Sequence, residues 1–371
     1  MSPNGTGPVR VGVVGAGVIS SEYLRNLTGL PDLDVRAVGD LDAGRARAQA
    51  AAFGVARGGA VEAVFADDDI ELVVNLTVPR AHVDVALQAI GAGKHVWNEK
   101  PIGLDRAGTA ALLDAARASG LRVATAPDTF LGPGIQTARR LVESGTIGTP
   151  LTALTLMQSP GPESWHPDPD FLFQDGAGPL FDIGPYYLTA LVQLLGPVSR
   201  VAAVSSRARA QRTVGSGPRA GQRFDVTVPT HVGALYRFAG GASAQCLFSF
   251  DSAVKRRRVE IAGTDGTLSV PDPNTFAGEI VVHRMDGETV TVPAAPAVTT
   301  RGTGVLELAR AVRAGRPERA SGELGGHVLD IMLSTIEAAD GGGPVDVTST
   351  VQVAPPLPED WDPAAPTLRS G

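Results

Sequence analysis

Short apolar runs alternate with segments of helical period over the first ~130 residues, the rhythm of repeated βα units around a parallel sheet. Val9 to Val14 predicts a first strand and Ile19 to Leu27 the helix behind it. Leu33 to Val38 predicts a second strand, followed by an Ala/Arg-rich helix from Ala43 to Phe53. Glu71 to Leu76 then reads as a strand, Arg80 to Ile90 as a helix, Lys94 to Trp97 as a strand and Arg106 to Ala118 as a helix; Leu121 to Ala126 is the sixth strand of a doubly wound sheet. After Ala126 the texture changes. Pro127, Gly132, Pro133 and Gly134 interrupt the pattern, and a helix resumes at Ile135 to Ser144. Period two then dominates, at Leu151 to Met157, Val201 to Ala208, Phe224 to Phe238, Ala242 to Phe250 and Arg257 to Ala262. Asp265-Gly266 and Asp286-Gly287 are hairpin signals. Helices at Pro185 to Leu195, Val305 to Ala314 and Gly326 to Ala338 are expected to lie against that sheet. The expected division is a dinucleotide-binding domain over 1–130, an α/β substrate domain over 131–352 and a Pro-rich tail over 353–371. The fold class is α/β, a doubly wound parallel sheet followed by a large, mainly antiparallel open sheet.

Composition narrows the class without changing it. Of 371 residues, 43% are hydrophobic and 19% charged, as in an ordinary globular chain. Lys plus Arg (32) against Asp plus Glu (39) leaves a net charge of −7, the wrong sign for a nucleic-acid or anionic-membrane binder. The single cysteine, Cys246, cannot form an intrachain disulfide, so the cytoplasm is the expected compartment. The apolar stretch Val11 to Ile19 is broken by three glycines and does not read as a signal peptide. No run approaches the ~20 apolar residues of a spanning helix.

The first candidate chemistry is a glycine turn. Gly15-Ala-Gly17-Val18-Ile19-Ser20 follows a predicted strand and opens a helix. Gly15 permits the tight turn, Gly17 lets backbone approach a pyrophosphate, and the helix N-terminus offers N–H groups to it. Ser20 stands where a third glycine is usual. Asp40, at the end of the second strand, is placed to accept from ribose hydroxyls and repel a 2′-phosphate, favouring NAD over NADP. Arg45 and Arg47 could compensate. Asp42 is the expected cap of the following helix.

Three further segments resemble one family. Val73-Val-Asn-Leu76-Thr77 with His82, then Gly93-Lys-His-Val-Trp-Asn-Glu99-Lys100-Pro101, and Gly176-Ala-Gly178-Pro-Leu-Phe-Asp182-Ile-Gly184-Pro185-Tyr186 are similar to the signatures of the glucose-fructose oxidoreductase/inositol dehydrogenase (Gfo/Idh/MocA) family. The resemblance implies NAD(P)-dependent oxidation or reduction of a secondary alcohol on a sugar, glycoside or cyclitol, and a homodimer or homotetramer built through the second sheet. It implies a cofactor wall of Gly15, Gly17, Val18, Ile19, Asp40, Leu76, Thr77, His82, Glu99 and Lys100. His82 and His95 also read as structural imidazoles, and no spacing resembles a metal set.

Lys100 lies just beyond the carboxyl end of a parallel strand, where doubly wound sheets bind ligands, and could hold or relay a proton. Asp182 and Tyr186, four apart at an expected helix start, would share one face, with Asp182 both capping and orienting. The family most often has histidine as general base at the position of Tyr186; a phenol beside an ammonium can do the same work. His166, in Glu163-Ser-Trp165-His166-Pro167, is the alternative base. At Pro127 to Leu131 the chain departs from the Asn/Arg-rich segment of many relatives. Two other readings stand beside the dehydrogenase: an NAD-bound regulatory protein, and an enzyme that oxidises a glycoside transiently without net NAD turnover.

Overall fold

The computed structural model describes residues 6–294 and 299–368. In chain order the first elements are β1 (Val9–Val14), α1 (Val18–Leu27), β2 (Leu33–Gly39), α2 (Ala43–Ala52), β3 (Arg57–Gly59), α3 (Val61–Phe65), β4 (Leu72–Asn75), α4 (His82–Gly91), β5 (His95–Asn98), α5 (Arg106–Ala118) and β6 (Val123–Thr125). They are followed by α6 (Pro133–Glu143), β7 (Pro150–Gln158), α7 (Gly178–Asp182), α8 (Gly184–Leu195), β8 (Val198–Ser206), β9 (Gln211–Thr213), β10 (Arg223–Asp225), β11 (His231–Phe238), β12 (Ser243–Ser249), β13 (Arg256–Gly263), β14 (Gly266–Val270), β15 (Ile280–Arg284) and β16 (Thr289–Val292). The last are α9 (Thr303–Ala314), α10 (Gly322–Gly341) and β17 (Val345–Asp346).

The described residues fall into two compact units, 6–132 with 299–329 and 354–368, and 133–294 with 330–353. In the first, six parallel strands run in the order β3-β2-β1-β4-β5-β6. Apart from Arg10 in β1 and Asn75 at the end of β4, these two central strands are apolar or glycine and buried, as strands covered on both faces must be. Asp42 caps α2 by accepting from Gly44 N and Arg45 N, and Asp105 caps α5 through Gly108 N. β3 has no pattern to announce it: Arg57-Gly58-Gly59 pairs with β2 through backbone alone.

Two expectations are corrected in this unit. Helix α9, placed against the second sheet by the sequence reading, packs on β5 and β6 instead. Asp128 anchors it. The carboxylate is fully buried, accepts from Gly302 N (2.8 Å) and Gly304 N (3.2 Å) at the start of α9, and pairs with Arg301. The 353–371 stretch, expected to be an unpatterned tail, docks through its described residues. Asp32 accepts from Thr367 Oγ1 (2.7 Å), Leu368 N (2.8 Å) and Arg310 Nε (2.7 Å), and Arg310 in turn donates to Asp362 O and Ala365 O and lies over the Trp361 ring. Arg319 likewise donates to Pro355 O and Pro356 O, so Asp32 and two arginines hold this stretch largely through its backbone, which leaves no trace in hydrophobic period.

The second unit is a nine-stranded sheet ordered β16-β15-β14-β13-β7-β12-β11-β8-β17, antiparallel except for the β7–β12 pair. Both Asp-Gly signals fall at hairpin turns, β13–β14 and β15–β16. The expected strand Phe224 to Phe238 is two strands, β10 and β11, the segment between them containing Pro229, which has no N–H for a ladder. Helices α6, α7 and α8 pack on one face of the sheet. The other face presents a ladder of apolar residues, in which Leu156 pairs with Leu247, Gly233 with Val204, and Leu235 with Ala202. Val204 and Leu235 are exposed there, around a shallow concavity of about 440 Å³.

Candidate functional site

β1 delivers the chain into Gly15-Ala16-Gly17. Gly15 has φ +102°, and a Cβ on it would lie 2.7 Å from the carbonyl carbon and oxygen of Leu76, so this position requires glycine for the fold itself. Gly17 differs. Its φ of −74° is ordinary, and a Cβ there would meet nothing within 4 Å. Gly17 caps α1 with no side-chain hydrogen bond, and the N–H groups of Val18 and Ile19 precede the first intrahelical bond, Ser20 N to Gly17 O. A bare backbone at a helix N-terminus, with open space in front of it, fits a pyrophosphate. Ser20 is fully buried and spends its hydroxyl on Gly17 O, so it packs where the third glycine would.

Asp40 follows β2 and folds back onto the turn. Its Oδ2 accepts from Ala16 N (2.6 Å), and its Oδ1 from Asp42 N (2.8 Å) and Arg45 Nη2 (2.7 Å). Burial raises the Asp40 pKa, but the Ala16 N–H and the Arg45 guanidinium outweigh it and hold the carboxyl below its usual range. Four apolar side chains stand exposed beyond the carboxyl ends of β1, β2 and β4: Val18 (95%), Ile19 (37%), Leu41 (97%) and Val78 (53%). Leu41 and Val78 escaped the sequence reading, although an apolar residue directly after the strand-ending acid was a signal to follow. Such exposed apolar groups at the ligand-binding edge of a doubly wound sheet suit the flat faces of a base.

The ends of β4 and β5 form one buried polar web. Asn75 Nδ2 donates to Asn98 Oδ1 (2.6 Å) and His82 O (3.0 Å), while Asn75 Oδ1 accepts from Thr77 Oγ1 (2.6 Å). His82 is buried, with Nδ1 2.6 Å from Pro101 O and Nε2 3.0 Å from Thr77 O. Burial lowers its pKa and outweighs those two carbonyls and Glu99. Both ring nitrogens face main-chain carbonyls, so His82 braces the loops after β4 and β5, in keeping with its reading as a structural imidazole. His95 is likewise structural, accepting from Arg122 N (3.0 Å), and burial and Arg122 bring its pKa down to about 4. Glu99 Oε1 accepts from the Tyr23 hydroxyl (2.8 Å) and Oε2 from Lys100 N (2.8 Å). The first unit therefore brings Gly15, Leu76 and Thr77 together, Ala16 with Asp40, and Glu99, Lys100 and Pro101 with Tyr23 and His82. The Pro127 to Leu131 departure has a fold role, since Asp128 is the anchor of α9.

In the second unit Asp182 and Tyr186 do not share a helix. Asp182 ends α7, and Tyr186 sits in the first turn of α8, where Ile183 is the capping residue. The break comes from Pro185, which has no N–H to carry the i→i−4 ladder across residues 182–185. Asp182 is thus no cap of α8. Tyr186 is 8% exposed, and Tyr187 is buried with its hydroxyl donating to Asp272 Oδ1 (3.2 Å). His166 lies on the strap between β7 and α7. Its Nδ1 accepts from Asp168 N (3.0 Å), and its ring meets Trp165 and Phe171 edge-on at 5.5 and 5.4 Å. A buried arginine pins that strap: Arg212 pairs with Glu163 and Asp251 and donates to Pro160 O (3.0 Å). The turn at Asp170–Phe173 packs on α7.

Among the described residues no group of three or more His, Cys, Asp or Glu side chains could hold a metal, and no helix is long and apolar enough to cross a membrane. Comparison with known proteins gives two family-model matches. Residues 9–126 match the oxidoreductase family with an NAD-binding Rossmann fold, and residues 135–269 match the GFO/IDH/MocA C-terminal domain. A dTDP-3,4-didehydro-2,6-dideoxy-α-D-glucose 3-reductase of Streptomyces antibioticus is 32% identical, over 75% of this chain and 81% of its own. An inositol 2-dehydrogenase of Saccharopolyspora erythraea is 28% identical, over 71% of this chain and 74% of its own. A levoglucosan dehydrogenase solved with NADH and L-sorbose superposes with TM-score 0.80 at 23% identity, over 92% and 99% of the two chains.

Proposed function

The chain belongs to the GFO/IDH/MocA family of NAD(P)-dependent oxidoreductases acting on CH–OH groups, and from that premise we propose that it transfers hydride between NAD and a secondary alcohol or ketone of a sugar, glycoside or cyclitol. The observation that carries the cofactor half is the pairing of an open Gly17 backbone with an ionised, doubly anchored Asp40 beside it. Ribose hydroxyls can donate to that carboxylate, whereas a 2′-phosphate meets like charge.

When bound, the nicotinamide accepts or gives the hydride. The chain's own groups handle the proton and the geometry. Gly17 and the start of α1 take the pyrophosphate, Asp40 the adenosine ribose, and Val18 and Leu41 the adenine faces. Glu99 and Lys100 stand at the end of β5, where Lys100 holds or relays the proton of the reacting hydroxyl. Tyr186 is the general base for that hydroxyl in the oxidising direction, and Asp182 orients the substrate. His166 suits a donor role better: with Nδ1 accepting from Asp168 N, the neutral ring carries its proton on Nε2 and can only donate there. We further propose that the apolar sheet face of Leu156, Val204, Leu235 and Leu247 joins two copies of the chain.

The test is a turnover panel of pyranoses, glycosides and inositols with NAD, followed by nicotinamide absorbance. Loss of turnover in Lys100→Ala and Tyr186→Phe, with His166→Ala keeping most of it, is the expected pattern. Full activity in Tyr186→Phe would move the base role elsewhere, and full activity in Lys100→Ala would remove the assignment of Lys100.

A further inference from the structure

Tyr23 lies on the buried face of α1, and nothing in the cofactor turn or the proton-transfer set uses it. Its side chain is fully buried, as is that of Trp97. Two bonds run through its hydroxyl: Trp97 Nε1 donates to it at 3.1 Å, and it donates to Glu99 Oε1 at 2.8 Å. The direction of this chain is forced, because an indole N–H can only donate and a carboxylate can only accept. The other Glu99 oxygen accepts the main-chain N–H of Lys100 at 2.8 Å. Trp97 and Glu99 are two apart along an extended segment and so fall on one side of it, toward α1. The next carbonyl, Pro101 O, is held by His82 Nδ1 at 2.6 Å.

We propose that Tyr23 is a positioning residue: it orients the Glu99 carboxylate and, through it, the peptide from which the Lys100 side chain springs. This rests on the role given to Lys100 above and deepens it. A carboxylate with one oxygen on its neighbour's N–H and the other in solvent rotates freely. Here the second oxygen is taken by a donor held in place by its own full burial. The groups facing Tyr23 and Glu99 are Asp128 from the segment after β6, Arg301 from just before α9 and His82 from α4, and burial, Glu99 and Asp128 together keep the Tyr23 phenol protonated and donating. The lysine peptide is thereby fixed from both sides, by Tyr23–Glu99 before it and His82–Pro101 after it.

The experiment is amide hydrogen exchange on the full chain, with Tyr23→Phe, Trp97→Phe and wild type. Tyr23→Phe is expected to speed exchange at the Lys100 amide by roughly tenfold while β1 and β4 keep wild-type protection, because only the bond to the Glu99 carboxylate loosens. Trp97→Phe, which keeps the Tyr23–Glu99 bond, should leave that amide near wild type. Turnover of the best alcohol from the panel should fall about tenfold in kcat for Tyr23→Phe with KM within about twofold, since misplacing a catalytic group lowers rate without touching ground-state binding. In a Glu99→Gln background the Tyr23→Phe change should add little further loss. Unchanged Lys100 exchange in Tyr23→Phe, equal acceleration in Trp97→Phe, or additive losses in the double variant would each overturn the proposal. Full turnover by Lys100→Ala would instead overturn only the catalytic consequence, leaving the exchange result to stand.

Discussion

Asp40→Asn isolates the charge of the group assigned to cofactor choice. Asparagine keeps an oxygen for Ala16 N, 2.6 Å away in the native turn, so the fold of the glycine loop survives, which an alanine would not ensure. A 2′-phosphate on the adenosine ribose would bring nearly two negative charges to within about 5 Å of the Asp40 carboxylate. At an effective dielectric near 20, each unit pair at that distance costs about 3 kcal/mol. Arg45, 2.7 Å from Oδ1 and 54% exposed, offsets a large part of this. About 1.5–2.5 kcal/mol of discrimination should remain, which is roughly 10- to 70-fold in relative affinity. The assay needs no substrate: NADH and NADPH are titrated by nicotinamide fluorescence, and the ratio of their dissociation constants is compared between wild type and Asp40→Asn. The wild type should prefer NADH, and the variant should lose most of that preference through tighter NADPH binding. A ratio that stays within about twofold of wild type would refute the electrostatic reasoning and leave Asp40 as a brace of the turn.

The two turn glycines should separate stability from binding: Gly15→Ala, strained by its positive φ and its contact with Leu76, should cost about 2 kcal/mol or more in urea unfolding, whereas Gly17→Ala should change stability by under about 1 kcal/mol yet weaken NADH binding tenfold or more. His95 sets an acid limit: its folded pKa of about 4 lies below an unfolded value near 6.5, so the unfolded chain binds the extra proton between them and stability rises with pH across that window. Roughly 3 kcal/mol present at neutral pH should be lost on acidification to about 4, and His95→Asn should flatten this part of the urea-midpoint profile. Asp32→Asn should lower stability by about 2–4 kcal/mol and open the 354–368 stretch to protease, since it weakens a buried pair with Arg310 and the anchors at Thr367 and Leu368. Leu235→Arg, on the apolar sheet face, should shift the chain to monomer in light scattering with turnover chemistry still measurable; an unchanged mass would place any interface elsewhere.

What could be read along the chain was what is local. Strand β1 and helix α5 fall where the pattern puts them, because a valine-rich run and an Asp-capped amphipathic segment carry their own signals. The glycine turn was legible for the same reason, since its residues interact with one another. β3 was not, because Gly58 and Gly59 offer no side chain to a periodicity argument and the strand exists only through its pairing with β2. The placement of α9 was beyond pattern altogether: an apolar face states that a helix covers something and not which sheet it covers, and the deciding contact is Asp128, about 175 positions earlier, on the N–H groups of Gly302 and Gly304. Asp182 shows the reverse error. The spacing of four was read as one helical face, but Pro185 divides the segment, and a proline's missing N–H outweighs a period inferred over a single turn. Tyr23 was hidden by the same limit. A helical period places it on the buried face of α1, while the one atom that distinguishes it from phenylalanine meets Glu99, 76 residues further along the chain, only once the fold brings α1 beside the end of β5. Chemistry written into adjacent residues can be found before folding is known; chemistry that depends on where two distant segments meet needs the register that only the fold supplies.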